Sequence, residues 1–362
     1  MKMFAVVPPG VESLALEELQ ELGLHGVEEE GGVSFEGSLD DVYRVSLHAR
    51  LPSRLLLRLG YARSHSLAAL ADGVRALGWR KYVHPGQRLD LHVSSHGKRR
   101  LRQDIIEKKV KYAIGDDLKR VRGPRRPPKE AAGVWIRTVG DRAEISVDAS
   151  GEHLHRRGWA THRTEAPLRE NLAAAVLRGC GWHPGLPLVD PMCGSGTLLL
   201  EAATLVGGVA AGSRRSFAFE RWPCHDDAAW RKHKAAVAPL DVPGGFWGFD
   251  RDAKAVEAAR SNAQRAGVSL ELGVADVGDL QPPIDDVGWV ITNPPYGQRI
   301  GKGREKAVLQ RFGKALSERF SGWGVAVVLP GHLVRHVGVP LETVLRFRNG
   351  GIKVVVAAGV VP

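Results

Sequence analysis

The sequence predicts an α/β protein in which a mixed α+β module precedes a domain with a mostly parallel sheet. Its 362 residues exceed the roughly 250 to 300 residues that one hydrophobic core usually serves, so at least two domains are expected. Before residue 150, strand and helix patterns alternate irregularly. After it, apolar, β-branched strands alternate regularly with helices, which is typical of a parallel sheet.

The elements of the first part follow from hydrophobic periodicity and turn residues. A strand at Phe4 to Val7 precedes a helix with an apolar 3.6-residue period, for which Gly23 is the expected stop. Ser38, with Asp41 three residues later, predicts a capped start of the next helix. The other expected elements are Val27 to Phe35 around a Gly31-Gly32 turn, Leu55 to Leu59, Leu67 to Leu77, Leu89 to Val93, Ile105 to Leu118, Val134 to Val139 and Ala143 to Val147.

The second part begins with a helix predicted from Pro167 to Arg178. Near the end of the chain, Asn349-Gly350-Gly351 lies between two strand patterns and predicts an antiparallel hairpin at the sheet edge. A basic, tryptophan-containing insertion, Ser213 to Leu240, predicts an extra helical lobe beside the ligand cleft. The expected strands are Leu188 to Asp190, Gly245 to Asp250, Leu270 to Val274, Trp289 to Thr292, Val325 to Leu329, Val344 to Arg348 and Ile352 to Ala358.

The charge of the chain predicts a polyanionic partner. The net charge is +11, and residues 98–129 contain 13 Lys and Arg against 4 Asp and Glu. A solvated helix face followed by a flexible loop is the alternative interpretation. RNA binding is favoured because few of these cations have an acidic residue at pairing distance along a helix. The candidate RNA-binding residues are Lys98, Arg99, Arg100 and Arg102.

Other classes of protein are disfavoured by the composition. No uncharged apolar run is long enough to span a bilayer, and the first residues do not resemble a signal peptide, so a cytoplasmic location without a membrane partner is expected. The three cysteines lack C-x-x-C spacing, so neither a disulfide framework nor a metal site is expected.

A glycine-rich turn between a strand and a helix provides the first candidate ligand site. It follows the strand that ends at Asp190, and its glycines allow a ligand to approach the backbone closely. No Gly-Lys-Ser/Thr follows, so a triphosphate is disfavoured and an adenosine cofactor remains open. A tight turn with only a structural role is the alternative. The candidate cofactor-binding residues here are Asp190, Pro191, Gly194, Ser195, Gly196 and Thr197.

Two acidic residues after later strands extend this candidate site. Asp250 ends the next strand, where a carboxylate can accept hydrogen bonds from both hydroxyls of a ribose. Asp276 follows the third strand and is expected to accept from an adenine amino group, with a role as a surface loop acid almost equally plausible. The insertion explains why Asp250 lies farther along the chain than in a dinucleotide-binding motif.

The segment Asn293-Pro294-Pro295-Tyr296 follows a buried strand and predicts a site for an amino group. The Asn293 side-chain oxygen and the Pro294 carbonyl can accept both hydrogens of one NH2. This draws the delocalised lone pair toward a methyl donor, while Tyr296 can stack on the base. Asn293, Pro294 and Tyr296 are therefore the candidate catalytic residues, and Asn293 also belongs to the predicted cofactor site.

At these motifs the chain resembles the class I, Rossmann-like RNA methyltransferases with an N-terminal ferredoxin-like region and a THUMP domain. The bacterial 23S ribosomal RNA guanine-N2 methyltransferases are the most similar members. The resemblance covers nearly the whole chain and includes DPMCGSGTLLLEAA from Asp190, GFDRD from Gly248 and NPPYGQRIG from Asn293. It implies a ferredoxin-like region at 1–60, a THUMP domain at 61–150, a linker at 151–165 and a methyltransferase domain at 166–362.

The resemblance also implies S-adenosylmethionine (SAM) as cofactor and RNA as partner, either 23S ribosomal RNA or a ribosome assembly intermediate. The predicted product is N2-methylguanosine. Because the loop recognises an amino group rather than a ring, adenine-N6, transfer RNA guanine-N2 and glutamine-N5 methylation remain alternatives, although the basic module disfavours a protein substrate. A non-catalytic RNA-binding assembly factor is the alternative of a different class. The oligomeric state is left open.

Overall fold

A computed structural model describes residues 1–96, 102–119, 123–160, 168–237, 245–296 and 304–362. Over these residues the chain forms two seven-stranded sheets, one in each half. Helices flank the strands in both halves, so the predicted α/β class is confirmed.

The first sheet is mostly antiparallel. Its strands are β1 (Lys2–Val6), β2 (Gly26–Glu29), β3 (Gly32–Glu36), β4 (Arg54–Arg63), β5 (Leu89–His96), β6 (Ala132–Val139) and β7 (Arg142–Asp148). They are ordered β2-β3-β1-β4-β7-β6-β5, and only the pair β5 and β6 is parallel. The accompanying helices are α1 (Glu12–Glu21), α2 (Leu39–His48), α3 (Leu67–Arg75) and α4 (Gln103–Leu118). The capping box predicted at Ser38 is present at the start of α2.

The second sheet has a parallel part and an antiparallel edge. Its strands are β8 (Leu188–Asp190), β9 (Phe246–Asp250), β10 (Glu271–Val274), β11 (Trp289–Thr292), β12 (Gly324–Leu329), β13 (Glu342–Asn349) and β14 (Ile352–Val360). Their order is β10-β9-β8-β11-β12-β14-β13, with β8 to β12 parallel and β14 antiparallel to both neighbours. The helices are α5 (Glu170–Gly179), α6 (Thr197–Val206), α7 (Asp227–Ala235), α8 (Ala253–Ala266) and α9 (Arg304–Arg319).

A buried charge network joins the two halves. Glu201 on α6 binds Arg157 Nε with one carboxylate oxygen and Arg50 Nη1 with the other, each at 3.0 Å. Arg157 also donates to the Arg50 carbonyl, and the Asn171 amide donates to the Leu51 carbonyl across the same interface. Because both guanidinium groups pair with the Glu201 carboxylate, the buried charges of this interface are compensated.

The insertion lies elsewhere than predicted. Its helix α7 contacts α2 of the first half, and Trp230 is buried beside Tyr43 and Phe219. The Tyr43 hydroxyl accepts from the Asp226 backbone N–H at 2.9 Å. The insertion follows the end of α6 and returns to the start of β9, on the sheet edge opposite the glycine turn, so the expectation of an extra lobe beside the ligand cleft is wrong. The apolar face of α7 binds α2, because both helices must bury their apolar side chains.

Over the described residues, no helix combines the length and the apolar character needed to cross a bilayer.

Candidate active site

The candidate site lies where three neighbouring strands end. β9, β8 and β11 are adjacent and parallel, so their carboxyl ends share one edge of the sheet. Asp250 ends β9, Asp190 ends β8, and Asn293 directly follows β11. In open α/β sheets ligands bind at this edge. The structure thus brings together residues that are up to 103 positions apart in the sequence.

The glycine turn is tied to Asp250. One Asp250 carboxylate oxygen accepts from the Gly194 backbone N–H at 3.0 Å, and the other accepts from Asp252 N–H at 2.9 Å. Gly194 and Gly196 have φ values of 55° and 83°, in the left-handed region that favours glycine. A Cβ on Gly196 would also lie 3.1 Å from Ala259 on α8. The turn is therefore held close to β9 and α8.

The rest of the turn leads into α6. Pro191 and Ser195 are buried, and Thr197 is the first residue of the helix. The Ser195 carbonyl accepts from the side-chain amide of Asn262 at 3.1 Å. Asn262 was not predicted. It could have been found from its position, because Asn262 is a polar residue on the apolar face of α8. A buried amide at such a position needs a hydrogen-bond partner.

Asp190 is buried at the centre of this edge. Its Oδ1 accepts from Thr292 Oγ1 at 2.7 Å and from the Met192 backbone N–H at 3.2 Å. Burial raises the pKa of Asp190 to about 7, and the negative charge of Asp250 contributes in the same direction. The Thr292 bond also ties the end of β11 to the end of β8.

Residues 293–296, here called the acceptor loop, contain a side-chain hydrogen-bond acceptor for which the described residues supply no donor. Asn293 Oδ1 is buried and has no hydrogen-bond partner among the residues that the structure describes. A buried carboxamide oxygen without a partner is costly, and at the sheet edge where ligands bind, a donor on a ligand can satisfy it. Pro294 is buried beside it. The acceptor predicted for an amino group is therefore present and unpaired at this edge.

Tyr296 is placed deeper than a stacking residue needs to be. Its side chain is 2% exposed, and its hydroxyl accepts a hydrogen bond from the Asn349 side-chain amide at 2.8 Å. With its ring covered in this way, stacking on a base stays a prediction. Asn349 is a second residue that the sequence did not reveal as part of the site, because Asn349-Gly350-Gly351 has the ordinary composition of a hairpin turn.

Asp276 lies at the end of β10, and its carboxylate already has partners. Oδ1 accepts from the Gly278 backbone N–H at 2.9 Å and pairs with Arg311 on α9. The carboxylate remains partly exposed. Its predicted contact with adenine therefore stays a prediction and would use the oxygen that these bonds leave open.

Of the four basic residues predicted to bind RNA, Lys98, Arg99 and Arg100 lie outside the described residues. Arg102 is exposed and pairs with Asp104 at 2.9 Å. Farther along, six exposed cations form no ion pair within the described part of the chain. They lie on α4, at its end or in the segment after it, and are here called the α4 basic surface: Lys108, Lys111, Lys119, Arg125, Arg126 and Lys129.

Two family descriptions match the chain. Residues 157–334 match an RMKL-like methyltransferase domain, and residues 2–56 match an RlmL ferredoxin-like domain. Among solved structures, the chain is similar to SMU.472, a candidate methyltransferase complexed with SAH (28% identity, TM-score 0.90, covering 100% of this chain and 98% of that one). A predicted N6-adenine-specific DNA methylase from Listeria monocytogenes str. 4b F2365 is similar at 26% identity and a TM-score of 0.90, covering 100% and 96%.

TrmN from Thermus thermophilus, at 24% identity and a TM-score of 0.73, shares the fold over 99% of this chain and 98% of its own. These similarities show an RMKL-like methyltransferase domain behind an RlmL-type ferredoxin-like domain, with SAM as the cofactor. The described residues fit SAM, because the turn carries two glycines without side chains and the Asp250 carboxylate lies beside it.

Proposed function

We propose that this chain, which carries a SAM-dependent methyltransferase domain, methylates an exocyclic amino group of an RNA base. The proposed product is N2-methylguanosine in 23S ribosomal RNA. The observation that carries the proposal is that Asn293 Oδ1, at the edge where Asp190 and Asp250 also lie, is buried and unpartnered with respect to every described residue. A carboxamide oxygen without a donor suits an NH2 group and would not suit a carbonyl or a carboxylate.

In the proposed reaction, the main task of the protein is to orient the amino group toward the methyl donor. SAM supplies an electrophilic methyl group when it is bound. The lone pair of an aromatic amino group is delocalised into the ring, which makes the group a weak nucleophile. Asn293 Oδ1 accepts one N–H, and the Pro294 carbonyl is proposed to accept the other, so that the lone pair points out of the ring plane. The acceptor loop then fixes the direction of attack.

RNA as substrate is supported by the first half of the chain. Residues 2–56 match an RlmL ferredoxin-like domain, and the α4 basic surface places six exposed cations on residues 108–129. Cations of this kind bind phosphates through charge and counterion release. We interpret residues 61–150 as a THUMP domain that docks RNA, with Lys98, Arg99, Arg100 and Arg102 extending its basic surface.

The test is methyl transfer in vitro. Purified protein is incubated with methyl-labelled SAM and ribosomal RNA, transfer RNA or DNA, and the labelled nucleosides are identified by mass spectrometry. Label in N2-methylguanosine from 23S ribosomal RNA is the expected result. Label in transfer RNA or in N6-methyladenosine would refute the ribosomal guanine assignment and keep the methyltransferase. SAM binding with no transfer to any nucleic acid would favour a non-catalytic assembly factor.

Asn293→Ala tests the proposed role of the acceptor loop in this reaction. The substitution removes the acceptor and leaves Asp250 and the glycine turn unchanged. Although Asn293 also belongs to the predicted cofactor site, single-turnover transfer with saturating RNA and SAM should fall much more than SAM affinity measured by calorimetry. Transfer at the wild-type rate would exclude Asn293 from the reaction.

A further inference from the structure

Asn349 is a buried polar residue to which the chemistry above gives no role. It ends β13 just before the Gly350-Gly351 turn and is 5% exposed. Because β14 runs antiparallel to β12, this turn lies at the sheet edge where β11 also ends. From there the Asn349 amide donates to the Tyr296 hydroxyl at 2.8 Å.

The acceptor loop is thereby held at both ends by buried hydrogen bonds. At the strand end, Thr292 donates to Asp190 at 2.7 Å. At the other end, Tyr296 accepts from Asn349. Two prolines lie between these ends, and each ring restricts the backbone φ angle. Within this short, stiff segment, Asn293 Oδ1 is a buried side-chain acceptor with no partner in the described part of the chain.

We propose that Asn349 is a positioning residue for methyl transfer. By fixing the hydroxyl of Tyr296, it fixes the acceptor loop and so the direction in which Asn293 presents its oxygen to the amino group. Reaction rates depend steeply on such alignment, because a misaligned amino group seldom reaches the geometry of attack. The inference rests on the proposed function of the acceptor loop. Asn349 contacts no reacting atom and acts only through Tyr296.

The test begins with Asn349→Leu, a substitution of similar size that removes the donor. Single-turnover methyl transfer at saturating RNA should fall by roughly tenfold or more, the factor that corresponds to about 1.4 kcal/mol in the barrier. SAM affinity should change much less than the rate, since most of the predicted cofactor residues lie at or after the ends of β8 and β9 and not on the acceptor loop. Asn349→Asp should restore most of the rate, because its carboxylate can accept a hydrogen bond of similar length from the Tyr296 hydroxyl.

A double-mutant cycle with Tyr296→Phe isolates the bond. Tyr296→Phe retains the ring and removes the hydroxyl, so it should slow transfer as Asn349→Leu does. Once either partner is gone, the second substitution should cost less than it does in the wild-type enzyme, since the bond between Asn349 and Tyr296 is already lost. Additive effects on the rate would overturn the proposal.

Asn171→Leu is the matched control for stability. The Asn171 amide is also buried and donates to the Leu51 carbonyl at 3.2 Å, away from the acceptor loop. It should lower the thermal midpoint without slowing transfer. An Asn349→Leu enzyme with the wild-type rate, or equal slowing by Asn171→Leu, would overturn the positioning role alone. A wild-type protein that binds SAM but methylates no RNA would refute the proposed function and this inference with it.

Discussion

Asp250 has two roles in the candidate site. It holds the glycine turn by a hydrogen bond, and it is predicted to bind the ribose of SAM. Asp250→Ala removes both, and the loss of charge-assisted hydrogen bonds should cost about 1.5 to 3 kcal/mol of binding. This corresponds to roughly ten- to hundred-fold weaker SAM affinity in calorimetry. Asp252→Ala is the control, because Asp252 caps α8 through the Lys254 N–H. Equal affinities for wild type and Asp250→Ala would exclude Asp250 from the site.

Asp190 should make stability depend on pH. Burial raises its pKa to about 7 in the folded protein, against a value near 3.9 in the unfolded chain. The folded state therefore keeps this proton between roughly pH 4 and 7 while the unfolded chain releases it. Stability from this group is complete below about pH 4 and is lost as the pH rises through about 7.

Asp190→Asn keeps an oxygen that can accept from Thr292 and Met192 but cannot titrate. Across the window from about pH 4 to 7, its free energy of unfolding should therefore rise relative to wild type, by up to about 4 kcal/mol. Urea unfolding of both proteins at several pH values measures this difference. Parallel pH profiles would show that Asp190 is not protonated in the folded protein near neutral pH.

Single residues of the site were predictable where they follow a strand pattern directly. Asp190, Asp250 and Asn293 each come at the end of an apolar run, and parallel strands bring such positions to one edge. Asn349 was not predictable in this way, because its partner Tyr296 is 53 positions away and their contact depends on how the hairpin crosses the edge. Sequence spacing contains no information about that crossing.

At the level of elements, α6 depends on Glu201 for its contact with the first half. The Glu201 and Arg157 side chains are each 1% exposed, and Arg50 is 9% exposed. Glu201→Ala would leave two buried guanidinium groups without a carboxylate, which should cost roughly 3 to 5 kcal/mol. Urea unfolding measures the loss. Glu152→Ala, which breaks the exposed pair with Arg156, should cost less than about 1 kcal/mol. Similar losses in both variants would contradict this account.

Helix and strand positions were largely predictable, whereas the docking of α7 was not. The periodicity of residues 227–235 identifies an apolar face around Trp230 but does not say which surface that face covers. The covering surface is α2, nearly two hundred residues earlier in the chain, where Tyr43 supplies both a ring contact and a hydroxyl acceptor. Pairing of this kind is decided by the tertiary fold, so the lobe predicted from composition was wrong.

On the scale of the whole molecule, the two clusters of buried apolar side chains do not coincide with the first and second halves of the sequence. One buried cluster includes Met3 to Leu57 of the first half together with the core of the second half as far as Val361. A smaller cluster extends from Ala62 to Ile145 between α3, α4 and the sheet. β4 passes from one cluster to the other, and its pairing with β7 shifts register between Arg58 and Gly60. Residues 1–60 therefore share their core with the methyltransferase domain.

This arrangement predicts which parts open together in native-state hydrogen exchange. The free energy of opening measured from amide exchange should be the same for β1 and β12. Both strands lie in the larger cluster, so opening one exposes the other. Amides of α3, α4 and β5 should form a separate unit that opens at lower free energy, since the smaller cluster buries fewer side chains. Exchange measured at increasing guanidinium below the unfolding transition separates the two units. If β1 opened with α4 and before β12, the first 60 residues would instead belong energetically to residues 61–150, and the buried contacts of Arg50 and Glu201 would be too weak to couple the halves.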